Sequence, residues 1–321
     1  MTPTLLRRLR RLLLLTAVVC TALAVWAPTW QREQATYNLL FTLDVTGSMN
    51  VRDYEWQGQP QSRLERSKNV LLELLQNLPC GSKAGLAIFT ERRSFLLLEN
   101  MEVCANYSPL SQAITMLNWR MAWEGDSHIA RGLFHAIDLA QSLESDVVFI
   151  SDGHEAPPLP HYGRPTFHQE PDIQDATQGF VLGAGGLALS PIPKFDEQGN
   201  EIGFLSEDEV DQENRLGAPP SGSEEREGWH PRNAPFGGAK PKGTEHLSSV
   251  KQAYLQELAD EAGLHYMALS SAKQLIPLLP QQLRANVQYS PVSTRPIFLS
   301  AALLAILLYY LSGLYNRRRP T

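Results

Sequence analysis

Tyr37-Asn38-Leu39-Leu40-Phe41-Thr42-Leu43-Asp44-Val45-Thr46-Gly47-Ser48-Met49 is the stretch that decides the fold. It opens on a mostly apolar run, the pattern of a strand buried on both faces of a sheet. It then places one carboxylate and two hydroxyls, Asp44, Thr46 and Ser48, at alternate positions just beyond the strand. A turn can aim alternate side chains at one point. Hard oxygens of this kind suit Mg²⁺ or Ca²⁺ and not zinc or copper.

Two more segments complete the pattern. An apolar strand at 147–150 runs into Ser151-Asp152-Gly153, and Gly125-Asp126-Ser127-His128-Ile129 opens a helix. In an open doubly wound sheet, ligands bind beyond the C-terminal ends of the strands, where the strand order reverses. If the strands before Asp44 and Asp152 are neighbours there, the two carboxylates meet across the crevice. Together they neutralise a divalent cation, and the uncharged hydroxyls leave it electrophilic. Such an ion accepts one more oxygen, for which a carboxylate from a partner protein is suited.

The rest of the chain supports such a sheet. Residues 62–78 carry a helical apolar stripe at positions 64, 71, 74, 75 and 78. Strands are expected at 84–89, 94–98, 179–183 and 264–268, the first two close enough for a hairpin, and helices at 107–117, 129–139 and 249–262. This alternation predicts an α/β fold, a doubly wound, mostly parallel sheet with helices on both faces. Residues 191–247 interrupt it, being rich in Gly, Pro and charge. A small hairpin is expected at 194–204, and over 206–244 a mobile surface loop, read as a plain insertion in preference to a partner-binding loop.

Two uncharged apolar runs bear on location. Residues 12–27 are short for a span and read either as an anchor or as a cleaved signal peptide; 297–314 fit a membrane helix. Arg7, Arg8, Arg10 and Arg11 precede the first, and Arg317, Arg318 and Arg319 follow the second. By the positive-inside rule both ends are cytoplasmic and the middle lies outside, in the periplasm of a Gram-negative cell. The expected organisation is an N-terminal membrane segment at 1–30, one domain at 31–290, a membrane helix at 296–316 and a basic tail at 317–321. The net charge of −6, from 28 basic and 34 acidic residues, argues against a nucleic-acid partner. Three cysteines exclude a disulfide-rich scaffold.

The three loops resemble the von Willebrand factor A domain and its metal-ion-dependent adhesion site. That family's Asp-x-Ser-x-Ser falls on Asp44, Thr46 and Ser48, its second-loop Thr on Ser127 and its third-loop Asp on Asp152. Thr46 replaces a Ser and Ser127 a Thr, and both keep a hydroxyl. The resemblance covers about 37–283. It implies one divalent cation, Mg²⁺ or Ca²⁺, held by these five residues. A narrower resemblance runs through 41–53, 78–82, 102–107 and 119–123. These segments look like the membrane-anchored A-domain proteins encoded beside the pyrroloquinoline-quinone methanol dehydrogenase of methylotrophic bacteria, most closely the MxaL type. It implies a non-enzymatic role in maturing that periplasmic enzyme, with calcium insertion the usual proposal and the dehydrogenase or its assembly proteins as partner. The alternative is a general envelope assembly or stress scaffold like the Bat aerotolerance A-domain proteins.

Other residues invite smaller readings. Cys80 and Cys104 either pair in a disulfide or remain thiols. His154, His161 and His168, with Glu155, Glu170 and Asp172, could form a second metal site but read better as a solvated loop. Trp119, Met121 and Trp123 read as core packing in preference to a recognition surface beside the ion. Asp126 is expected to cap the following helix, and Arg52 to pair with Asp53. No Gly-x-Ser-x-Gly elbow or Gly-x-x-x-x-Gly-Lys loop is present. A metal-dependent hydrolase would need His128 or His154 as base.

Overall fold

The computed structural model describes residues 3–27, 29–123, 125–167, 177–239 and 242–317; His168, Glu170, Asp172 and the tail beyond Arg317 lie outside the described residues. The chain divides into two compact units, one made of the two ends, up to Gln34 and from Val287, the other of Ala35–Asn286.

In the first unit, a helix at Pro3–Val25 leads to a strand at Thr29–Thr36, which pairs with Asn286–Ser293 ahead of the helix Arg295–Arg317. The two helices pack together, with the Arg10 guanidinium 4.4 Å above the Tyr309 ring. Among the described residues one helix is long and apolar enough to cross a membrane, over Arg295–Ser312 at mean hydropathy 1.6. The arginines at 7, 8, 10 and 11 lie inside the first helix and shorten its apolar part. The strand pair was not foreseen, because Thr29–Thr36 carries mostly polar side chains.

The second unit is the expected α/β sheet. Its strands are β1 (Asn38–Asp44), β2 (Lys83–Thr90), β3 (Arg93–Glu102), β4 (Asp146–Ser151), β5 (Gly179–Gly183) and β6 (His265–Ala268), in the spatial order β6-β5-β4-β1-β2-β3. Every pairing is parallel except the β2–β3 hairpin. The principal helices are α1 (Arg63–Asn77), α2 (Tyr107–Met116), α3 (Ile129–Ser142) and α4 (Gln252–Glu261). Ser62 caps α1 by accepting the Glu65 N–H at 3.1 Å.

Strand period sorts the core onto two faces. Leu39, Phe41 and Leu43 pack with Leu71 and Leu74 of α1 on one side. Leu40, with Val147 and Phe149 of β4, packs with Leu133 of α3 and Leu255 and Leu258 of α4 on the other. Gly132 lets α3 lie against the sheet, since a Cβ there would sit 2.1 Å from the Phe89 ring. β1 lies between β4 and β2, with Leu40 opposite Val147 and Leu43 opposite Ile150. The order therefore reverses at β1, and the ends of β1 and β4 share one crevice, as expected.

The inserted segment contains the expected hairpin, Pro193–Phe195 with Glu201–Phe204. It also pairs Ser190–Pro191 with Leu247–Ser248, and short turns at Glu207–Glu209 and Ser223–Glu225 fill the interval. Cys80 and Cys104 form a disulfide with Cα atoms 5.3 Å apart, joining the residues before β2 to those after β3.

Candidate metal centre

The crevice is built from strand ends. Beyond β1 the chain turns, so that Thr46 donates to Asp44 Oδ1 from both its N–H (2.9 Å) and its hydroxyl (2.7 Å). Ser151, at the end of β4, donates its hydroxyl to Asp44 Oδ2 at 2.7 Å. The next residue, Asp152, accepts the His154 N–H on Oδ1 at 3.0 Å and also bonds the Ser48 hydroxyl. Gly153 makes this turn at φ +77°, a left-handed conformation that favours glycine. Asp44 and Asp152 are both fully buried.

The second loop is tied to the third. Ser127 and Ala156 exchange backbone hydrogen bonds of 2.5 and 2.8 Å. Glu155 Oε1 accepts the Ala130 N–H at 3.2 Å, which satisfies the start of α3 from across the crevice. These links hold the Ser127 hydroxyl at the cavity that Thr46 and Ser48 also line. It is buried and has no hydrogen-bond partner. The structure thus sets Thr46, Ser48 and Ser127 on one cavity, with Asp44 buried behind Thr46 and Asp152 behind Ser48.

A sixth residue governs the charge. Arg63, the first residue of α1, has a fully buried side chain. Its Nη1 donates to Asp152 Oδ2 at 2.6 Å and to Ser248 Oγ at 2.7 Å. Nη2 donates to the Ser248 carbonyl at 3.1 Å, and Nε and Nη2 donate to Asp53 Oδ2 at 3.0 and 2.7 Å. Burial is the largest single influence and disfavours ionisation of Asp152, but the Arg63 charge, the nearby His154 and the hydrogen bonds from the His154 N–H and Ser48 together outweigh it and hold that carboxyl below its usual range. Among the described residues no cation acts on Asp44. Burial first, and the Asp152 charge second, push it up to about 7. Two carboxylates in mutual repulsion, with an unpartnered hydroxyl at the same cavity, form an oxygen-only donor set that fits a hard divalent cation. Among the described residues no group of three or more His, Cys, Asp or Glu could hold a metal ion. A site here depends on the mixed carboxylate and hydroxyl set.

Several smaller expectations change. Asp126 does not cap α3; the residue before the helix is His128, and Asp126 pairs with Arg92 at 3.1 Å. Arg52 pairs with Glu201 and Asp53 with Arg63, because neighbouring side chains leave the turn in different directions. Trp119 and Met121 pack against the core as expected, but Trp123 is 62% exposed and meets only the edge of Phe95. His154 is buried at the crevice, where loss of hydration lowers its pKa, while His161 sits against the Tyr162 ring. Arg63 and Ser248 had no sequence signal, since a basic residue opening a helix reads as solvated.

Residues 39–154 match the von Willebrand factor type A domain. The match begins in β1 and ends two residues beyond Asp152, so it contains all five crevice residues. No curated protein matches the chain. Solved structures similar to it include an aerotolerance-related membrane protein from Bacteroides fragilis, at 17% identity over 77% of this chain and 98% of that one, with a TM-score of 0.46. BatB from Bacteroides thetaiotaomicron is similar at 17% identity over 76% and 96% of the two chains, with a TM-score of 0.44. PilB minor pilin from Streptococcus sanguinis is similar at 13% identity over 89% and 64%, with a TM-score of 0.38.

Proposed function

We propose that this chain is a membrane-anchored factor that binds a partner protein through one Mg²⁺ or Ca²⁺ ion held by Asp44, Thr46, Ser48, Ser127 and Asp152. The observation that carries this reading is the unpartnered, buried Ser127 hydroxyl set beside two buried carboxylates that lack full charge compensation. When bound, the ion supplies an open coordination position for a partner's carboxylate. Asp44 and Asp152 supply the charge, Arg63 fixes Asp152, and the hydroxyls complete the donor set. Thr46, Ser48 and Ser151 bond carboxylates and not a histidine, which supports binding over hydrolysis.

In this reading the helix Arg295–Arg317 anchors the domain in the inner membrane, with the first helix as a second anchor or a processed signal; the arginines outside the two apolar runs support a periplasmic A domain. The partner is the methanol dehydrogenase or one of its assembly proteins, and the role is to assist calcium insertion; support for this step is the sequence resemblance to the MxaL type. The test is affinity capture from solubilised membranes of native cells, with the wild-type chain and an Asp44→Ala chain as baits and both ions present. Capture of the dehydrogenase or its assembly proteins by the wild type alone supports the reading. Capture by both baits removes the ion from the contact. Capture of only unrelated envelope proteins favours a general scaffold of the Bat type.

A further inference from the structure

The inserted segment forms a wall of the crevice. Arg120 donates to the carbonyls of Gln198 and Glu197 at 3.1 and 3.3 Å, and Arg52 bonds Glu201, so both ends of the hairpin turn are tied to the domain. This presses Phe195 onto Trp119, with ring centroids 4.3 Å apart and planes 24° from parallel. The two rings, with Ile192, Leu205 and Pro157, line a cavity of about 580 Å³ that also reaches Thr46, Ser48 and Ser127. Acidic groups lie along the same cavity. Glu209 is neutralised by Lys194, but Asp211 and Glu245 add negative charge, with the buried His154 3.8 Å from Glu245.

We infer that this wall selects the partner segment: a single carboxylate directly beside a large apolar side chain, flanked by basic residues. The inference rests on the proposed metal-dependent binding. The carboxylate would complete the ion's shell when the ion is bound, because Lys194 on the cavity wall is already paired with Glu209. The neighbouring side chain enters the apolar part of the cavity and covers the Trp119–Phe195 face. Basic flanks complement Asp211 and Glu245, whereas a second acidic residue would be repelled by them. The insertion thereby sets specificity, while the strand ends supply the general carboxylate grip.

The test is fluorescence anisotropy of a labelled hexapeptide, Gly-Arg-Asp-Phe-Lys-Gly, with the detergent-solubilised full chain in Mg²⁺ or Ca²⁺. The parent peptide is expected to bind, and EDTA or an Asp-to-Asn peptide to abolish binding. Replacing Phe by Ala in the peptide is expected to weaken binding at least about tenfold, the effect of losing one buried aromatic side chain. A Trp119→Ala chain should bind the Phe and Ala peptides alike. A Phe195→Ser chain, altered on the hairpin alone, should do the same if the Trp119 variant fails to fold. Metal-dependent binding that is indifferent to Phe overturns the inference and leaves the proposed function standing. Equal binding in EDTA, or no binding of the parent peptide, overturns both.

Discussion

Replacing Arg63 by methionine removes one buried charge and leaves two behind. The guanidinium makes five hydrogen bonds, to Asp53, Asp152 and Ser248, from a side chain with no exposed surface. Methionine fills much of the same volume, so the cavity contribution is small. What remains is the cost of leaving Asp152 and Asp53 without their counter-charge, about 3–5 kcal/mol for breaking a buried pair from one side. For a unit of this size that corresponds to a fall in Tm of roughly 10 °C. The assay is a urea titration of the detergent-solubilised chain in EDTA, followed by tryptophan fluorescence. A second Asp53→Asn change removes one of the stranded charges and should restore about 1 kcal/mol or more, read as the coupling of a double-mutant cycle. A loss below about 1 kcal/mol for Arg63→Met would refute the reasoning, because it would mean that the guanidinium does not hold these carboxylates.

Reducing the Cys80–Cys104 disulfide, or replacing both residues by Ser, should cost roughly 3.5 kcal/mol for a link between residues 24 apart, measured as the shift of the urea midpoint, and thiol labelling of the native chain should find neither cysteine free. The Gly81 and Ala105 N–H groups hold the Glu102 carboxyl below its ordinary range, so its stabilising effect is present above the unfolded pKa and is lost as pH falls through the folded one; the stability gap between wild type and Glu102→Gln should shrink below about pH 4. Ser127→Ala should leave metal-free stability within about 0.5 kcal/mol, because the hydroxyl has no partner, yet weaken divalent-ion binding at least about tenfold in a thermal-shift titration.

The sheet was legible because each buried strand is a short apolar run bounded by polar residues. The 84–89 and 94–98 runs gave the β2–β3 hairpin, and 39–43 and 147–150 gave the two neighbours at the switch point. The positions of the crevice residues were legible for a related reason: Asp44, Thr46, Ser48 and Asp152 lie at or just beyond strand ends and Ser127 just ahead of α3, beside the switch point. Arg63 was not, because its partners lie 10, 89 and 185 residues away and its burial is a product of tertiary packing. The Asp126 capping role failed because the start of α3 is served by Glu155 from another loop. Nor does composition show that a Gly- and Pro-rich insertion will lie along the crevice; tertiary contacts such as the Trp119–Phe195 stack and the Arg120 bonds reveal it.

The most direct measurement is a calorimetric titration of Mg²⁺ and of Ca²⁺ into the metal-free, detergent-solubilised chain and its Asp44→Asn variant. One saturable site per chain is expected for at least one of the ions, lost in the variant while the fold is retained. No binding by the wild type, or equal binding by the variant, would contradict it.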